Sequence, residues 1–403
     1  MKNINQKTRA YALKNALAHK GKSNQGAVIS ALFNEGLKKQ DVKTYIEEIS
    51  KIIQEVNSLS IEEQKKEFEK LENIVSKREI RHGLPELPNV KKSGVIMRFS
   101  PSPSGPLHIG HVRTACLSFL YVKKYGGKFY IRIEDTNPEN IYKPAYKMIE
   151  QESKWLSRGL AKIIIQSKRM AIYYKYAEKL IKKNAAYVCT CSGDKFREYA
   201  KKQKNCPCRK LNVKENLLRW KKMLNKKGFK QGEAVLRFKS LEGMKNKNPA
   251  MRDFPLARIN ETPHPLQKNK YRVWPLMNLA VTADDIEMKM THIIRGKDHR
   301  DNAERQKMMY KVLGKKYPWT FFLGRYKFKD LILSTTKTRQ AIESGKYSGW
   351  DDPKLVTVAA LKKKYKPEAF WKFTEQMGLI EADRTLDKKE FFKMLDNFNR
   401  DVM

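Results

Sequence analysis

Over residues 1 to about 92, apolar positions recur at three- and four-residue spacing, and no run alternates as a strand would. "YALKNALAHKGK" and "GAVISALFNEGL" each read as a helix closed by a glycine. "SIEEQKKEFEKLENIVSK" opens with a capping box, Ser60 followed by Glu63. The prolines of "HGLPELPNV" then mark a linker, and "GVIMRF" is the first strand. A Pro/Gly loop follows, and "HIGHVRTACLSFLYVKKYGG" places Ile109, Val112, Cys116, Phe119 and Leu120 on one helix face before a Gly-Gly stop. "KFYIRIEDT" alternates Phe129, Ile131 and Ile133 with polar positions. Strand, helix and strand make one βαβ unit, for which a parallel sheet with right-handed crossover is the default.

Helices follow over "PAYKMIEQESKWLSRGL" and about 171–184. Between about 186 and 270 the composition turns rich in cysteine and lysine, with short strands such as "AVLRF", which reads as an insertion. The sheet pattern is expected to resume with "MNLAVTADD" and "MTHIIRGKDH", and helical segments to fill 340–403. Five regions result: an N-terminal helical domain (1–92), two halves of an α/β domain (93–185 and 271–340), the insertion (186–270) and a helical C-terminal region (341–403).

Charge adds a partner class. The 84 lysines and arginines against 43 acids leave a formal net charge of +41, which suits a polyanion such as nucleic acid. A lysine-rich proteome is the alternative source of such a balance. No apolar run approaches the roughly 20 residues a bilayer span needs, so no membrane association is expected. The N-terminus lacks the apolar core of a secretory signal, and four clustered cysteines do not form a secreted disulfide framework, so a cytoplasmic location is expected.

The chemistry concentrates in residues 98–111, "RFSPSPSGPLHIGH". A helix N-terminus after a strand and a small-residue loop offers unpaired N–H groups to an anion at the carboxyl edge of the sheet. His108 and His111, three apart on the first turn, can donate to phosphate oxygens without adding a fixed charge.

This stretch, followed by "IRIEDT", resembles the signature of class I aminoacyl-tRNA synthetases of the glutamyl/glutaminyl branch. "KNPAMRDFPLARI", "VWPLMNLAVTADD", "THIIRGKDH" and "LSTTKTRQAIESGKYSGWDDPKL" resemble the archaeal-type glutamyl enzyme in order and spacing, from about residue 5 onward. The resemblance implies a Rossmann-type catalytic domain split around an acceptor-end-binding insertion, with a helical region against the tRNA stem. It implies ATP- and Mg²⁺-dependent activation of L-glutamate to glutamyl-adenylate, with tRNA bound, and transfer to the 3′ end of tRNA(Glu), with tRNA(Gln) open as a second acceptor. Glutamyl transfer to a modified tRNA base, or a non-catalytic tRNA-binding derivative, are the alternatives.

By the same resemblance, His108 and His111 stabilise the transition-state phosphate, with Pro106, Gly110, Ser334 and Thr335 on the ATP side. Thr335 stands where many relatives have the signature lysine, and Lys337 is the nearest cation. Glutamate has two carboxylates and one ammonium, which calls for two guanidinium groups and one acid. Arg98, Glu134 and Arg295 sit at strand ends at the ligand edge and suit that need. In glutaminyl relatives the position of Arg295 is typically not basic. Ser100 and Ser102 are implied to line the pocket, with Asn278 beside it, and Met277 is assigned no contact.

"CTC" and "CPC" supply Cys189, Cys191, Cys206 and Cys208, a set suited to structural zinc, Zn²⁺, which relatives carry in this insertion. Reduced cysteines without metal, or a disulfide, are the alternatives. Archaeal-type relatives continue into two anticodon-gripping β-barrels. No barrel-like strand run follows "SGWDDP", so a separate polypeptide carrying the barrels, selection of the tRNA by acceptor stem and D-arm alone, or a truncated chain are the expectations here.

Overall fold

The computed structural model describes residues 3–75, 83–329, 331 and 333–402. The end of the helix begun at Ser60, part of the linker and Ile332 of the "LILSTTKT" loop lie outside the described residues. The chain forms two compact units, Met1–Arg81 and His82–Met403.

Among its described residues the first unit has four α-helices: α1 (Ile4–Ala18), α2 (Gln25–Asn34), α3 (Val42–Ser58) and α4 (Ile61–Leu71). Leu13, Ala16, Val28, Leu32, Ile49, Ile53 and Val56 form its core. Ser60 and Glu63 cap α4 reciprocally, satisfying backbone donors that its N-terminus would otherwise leave open. The buried Gln64 amide donates to the carbonyls of Gly21 and Val56 at 3.0 and 2.9 Å, tying helix junctions together.

The second unit opens with β1 (Val95–Phe99), α5 (Ile109–Tyr125), β2 (Gly127–Ile133), α6 (Ala145–Leu156) and β3 (Ala161–Ile165). The three strands are parallel in that order, with Met97 opposite Phe129 and Ile131 opposite Ile163. After α7 (Met170–Lys182) the insertion builds β4 (Ala186–Cys189), α8 (Gly193–Lys201), α9 (Val213–Leu224), β5 (Val235–Phe238), β6 (Pro255–Ile259) and β7 (Val273–Pro275). These four strands form an antiparallel sheet in chain order, so it runs a few residues past 270. Next come α10 (Met277–Glu287), β8 (His292–Gly296), α11 (Arg300–Val312) and β9 (Trp319–Leu323), with β8 and β9 parallel. Thr291 N donates to Ile96 O at 3.0 Å, and Ile96 N to Thr291 Oγ1 at 2.9 Å, which holds the start of β8 beside β1. The chain ends in β10 (Tyr326–Phe328), α12 (Thr335–Glu343), α13 (Val358–Leu361), α14 (Pro367–Met377), β11 (Arg384–Leu386) and α15 (Lys388–Arg400).

This is the expected Rossmann-type α/β arrangement, with corrections at three places. "MNLAVTADD" is not a strand but α10, because residues 278–285 are all buried and the helical period is erased. The strand in that region is β7, which pairs with β6 in the insertion sheet and not with the parallel strands. The region after 340 is not wholly helical, since β11 pairs with β10. β3, a five-residue run of Ala, Lys and three Ile, is an additional strand between two recognised helices.

The apolar layer of β1, β2 and β3 packs on α5, whose Val112, Cys116, Phe119 and Leu120 are buried. From β1 the chain crosses by α5 to β2 on one side, while β8 lies on the other. A crevice therefore opens at the carboxyl ends of β1 and β8, where open parallel sheets bind ligands.

Candidate active site

His108 is the N-cap of α5, and its Nδ1 accepts Gly110 N–H at 3.1 Å. His111 Nδ1 accepts His108 N–H at 3.3 Å. In each neutral ring the proton must then sit on Nε2, so both rings carry an outward donor. The rings stack with centroids 3.8 Å apart. Burial takes His108 down to about 4, and burial followed by the His108 neighbour takes His111 well below its ordinary value. Both are neutral donors at pH 7. A side chain on Gly110 would meet the His108 ring at 2.9 Å, so glycine keeps that ring in place.

The loop before the helix is fixed from three directions. Leu107 N donates to the buried Glu152 carboxylate at 2.6 Å, and burial raises that carboxyl to about 8. Ile109 N donates to Val356 O and Val358 N to Leu107 O, at 3.0 and 2.8 Å. Ser104 and Thr335 hydroxyls meet at 3.0 Å, and a Cβ on Gly105 would press on Thr335 and Trp350 at 3.0–3.1 Å.

The folded state resists protonation of His108, while the unfolded chain takes up a proton near pH 6.5. The stability this ring contributes is therefore intact above about pH 6.5 and is lost as pH falls toward about 4. His108→Asn keeps a capping acceptor but does not titrate. Melting temperatures between pH 7.5 and 4.5 are expected to fall less steeply for this variant than for the unsubstituted protein. Parallel curves would contradict the burial argument.

Two cavities flank the histidine pair. One, about 390 Å³, is lined by Arg98, Ser100, Ser102, His111, Glu134 and Arg295, with Met277, Asp298 and His299 at its wall. The other, about 280 Å³, is lined by His108, Ser334, Thr335, Lys337, Lys346 and Lys354. Thr335 borders both. Ser334 caps α12, accepting Lys337 N–H at 3.4 Å, so the Ser-Thr-Thr-Lys turn is the start of a helix facing the second cavity. Pro106 is buried behind the loop, and Gly110 faces a third crevice with Arg113 and Gly296.

The first cavity is backed by a buried charge network. Arg98 grips Asp285 through Nε and Nη2, each at 3.3 Å. Arg132, fully buried, reaches Asp285 at 2.5 Å, Glu134 at 3.0 Å and Asp284 at 3.8 Å. Arg169 holds Asp284 at 2.7 Å. Burial alone would raise Asp285, but Arg98 and Arg132 hold it below the usual carboxylate range. Against the cost of burial, Asp285, Glu134 and Asp284 push Arg132 above the arginine range. Arg295 differs: burial, then the nearby Arg98, lowers it, and its Nε is buried without a partner. Ser100 Oγ is likewise buried and unpartnered. Both residues line the cavity, although these two atoms are themselves shielded from it.

The structure thus brings Arg98, Ser100, Ser102, His111, Glu134 and Arg295 around one cavity. Asn278 is not among its lining residues, whereas its neighbour Met277 is. Asn278 instead accepts from the Gln306 amide at 3.3 Å, one residue behind Arg295. Sequence reasoning missed Arg132, Asp285, Gln306, Lys346 and Lys354. The two adjacent acids of "VTADD" in an otherwise apolar stretch were the available signal for Asp285.

In the insertion, the sulfurs of Cys189, Cys191, Cys206 and Cys208 lie within 4.8 Å of one another. Cys189 and Cys206 are 3.8 Å apart, Cys191 and Cys208 3.9 Å, and all are free thiols. A tetrahedral Zn–S₄ site with bonds of ~2.3 Å has edges of ~3.8 Å, so the set fits zinc. Thr190 N and Arg219 Nη1 point at Cys208 Sγ, at 3.5 and 3.6 Å, as outer hydrogen bonds that offset thiolate charge.

A parallel sheet split by an insertion, with a histidine pair capping the first crossover helix, defines the catalytic domain of a class I tRNA synthetase, and the model of that family (E and Q) matches residues 94–403. The glutamate–tRNA ligase of Methanothermobacter marburgensis is 43% identical over 397 residues, covering 98% of this chain and 70% of the relative. That of Methanocaldococcus jannaschii is 44% identical over 374 residues, covering 92% and 66%. This chain belongs to the glutamate–tRNA ligase family. It spans about 70% of the length of the first of these relatives. A crystal structure of a glutamate tRNA ligase from Elizabethkingia meningosepticum shares the fold, with a TM-score of 0.52 at 22% identity over 77% of this chain and 69% of that one.

Proposed function

We propose that this chain activates L-glutamate with ATP and Mg²⁺ and transfers the glutamyl group to the 3′ adenosine of tRNA(Glu). The observation that carries the reading is the cavity beside the histidine pair. It contains Glu134 for an ammonium, and Arg98 and Arg295 for carboxylates, with Ser100 and Ser102 beside them. A glutamate α-carboxylate oxygen attacks the α-phosphorus of ATP, and the bond to the bridging oxygen breaks to release pyrophosphate. Nε2–H groups of His108 and His111 meet the charge gathering on the α-phosphate oxygens. Lys337, Lys346 and Lys354 give the second cavity the positive potential that a leaving pyrophosphate needs. Ser334 and Thr335 join the nucleotide side, and Pro106 and Gly110 shape the loop and helix start behind it.

The regions 1–92, 93–185, 186–270, 271–340 and 341–403 are proposed as the N-terminal helical domain, the first catalytic half, the acceptor-end-binding insertion, the second catalytic half and the stem-contact region. Zinc on the four cysteines, a cytoplasmic site of action and tRNA(Gln) as a second acceptor belong to the same proposal. Among the described residues no helix is long and apolar enough to cross a membrane.

Charging of total tRNA with labelled glutamate, followed by periodate treatment, tests the reading. Label on the terminal adenosine supports it. Label on a periodate-sensitive base, or none, would replace it with base modification or with non-catalytic binding.

For the thiol cluster, protein purified without chelator is expected to hold one zinc per chain, and Cys206→Ser to release it and loosen the insertion. Elemental analysis decides, and a metal-free protein with its insertion folded would overturn the assignment.

A further inference from the structure

Around the substrate cavity the buried charges do not balance. Arg98, Arg132 and Arg169 are matched by Asp284, Asp285 and Glu134 through the ion pairs described above. Arg295 is a fourth guanidinium, and among the described residues no carboxylate lies within ion-pair distance of it. Its Nη1 donates to the amide oxygen of Gln306 at 2.9 Å. Gln306 is fully buried on α11, and its orientation is imposed from behind. Its Nε2 donates to Asn278 Oδ1, and Asn278 Nδ2 to Asn302 Oδ1, each at 3.3 Å. The relay is three amides in series, each donating to the next, and none of them carries charge.

An amide oxygen accepts the arginine's hydrogen bond and fixes its plane without neutralising it. A carboxylate at the same place would do both. We propose that Gln306 is a positioning residue that sets the charge specificity of the site, holding Arg295 in place while keeping it uncompensated for a substrate side-chain carboxylate. The inference rests on the reading of the site as a glutamate pocket. Free glutamate carries one net negative charge, which closes the balance, whereas glutamine carries none and leaves Arg295 buried and unpaired. Asn278, by orienting Gln306, acts one step further back.

Gln306→Glu places a carboxylate on Arg295 from inside the protein, and Gln306→Met fills the space without charge. The measurement is kcat and KM for glutamate and for glutamine in tRNA-dependent pyrophosphate exchange, with melting curves for each protein. Gln306→Glu is expected to raise the glutamate KM about 10²-fold, with kcat changed less than about threefold, and to shrink the preference over glutamine by a similar factor. Gln306→Met is expected to raise the glutamate KM less than about tenfold and to keep the preference. A folded Gln306→Glu protein with an unchanged preference overturns the inference, as does a Gln306→Met protein that loses its preference. If Gln306→Glu does not fold, the methionine variant decides through KM: a glutamate KM equal to that of the unsubstituted protein shows that Gln306 does not hold Arg295 and overturns the inference, and a severalfold rise with the preference kept supports it. Failure of the unsubstituted protein to activate glutamate is a separate result, and it removes the underlying reading instead.

Discussion

Replacing His108 or His111 by alanine is expected to cut adenylate formation about 10²-fold or more, roughly 3 kcal/mol of transition-state stabilisation. Each ring is neutral, each Nδ1 is occupied by a backbone N–H, and each Nε2–H is thereby left for a ligand at the helix start. A pentacoordinate α-phosphate gathers more charge than the ground state, so a donor fixed at that point acts on the rate more than on binding. The effect should therefore appear in kcat, with the KM for glutamate nearly unchanged. Because resemblance implies that activation needs tRNA, pyrophosphate exchange must be measured with tRNA present. Exchange rates left intact by both substitutions would end this assignment.

Arg295→Gln carries the second large effect, on selectivity. The guanidinium is buried, and among the described residues its one acceptor is a neutral amide and its Nε has no partner. Glutamate bound to the variant would bury a carboxylate with no cation against it, a loss of roughly 3–5 kcal/mol when one member of a buried pair is removed. The KM for glutamate is expected to rise by at least 10²-fold, and its advantage over glutamine to narrow. The same change should leave melting nearly unchanged, since among the described residues no carboxylate is in direct ion-pair contact with Arg295, and Asp285 and Glu134 are held by Arg98 and Arg132. A glutamate KM that hardly moves would mean that Arg295 serves the fold and not the substrate.

Much of this site is local and was readable from the sequence. A helix that begins at His-Ile-Gly-His after a rigid Pro/Gly loop carries its anion-ready donors within four residues, so no distant contact is needed to expect them. The two strands around it, ending beside Arg98 and just before Glu134, follow from short-range patterning. The paired cysteines announce a cluster by composition alone. Local order fails where burial is complete. In α10 every residue from Asn278 to Asp285 is buried, so no polar face marks a helical period, and a helix reads as a strand. It fails again where partners are remote, as with Asp285, which lies 187 residues from the Arg98 it orients.

The sequence by itself determined the chemistry available: two histidines at a phosphate-ready turn, arginines and an acid at strand ends, four thiols and a large excess of basic charge. Only the tertiary structure decided how those groups are employed. Packing α10 and α11 behind β1 and β8 puts Met277, and not Asn278, on the cavity wall, and turns Asn278 toward Gln306. It pairs three arginines with three acids and leaves Arg295 to a neutral amide. The physical reason is that a buried charge is defined by what surrounds it in space. Those neighbours come from segments that no local pattern connects, so the sequence names the charges and the fold assigns their partners.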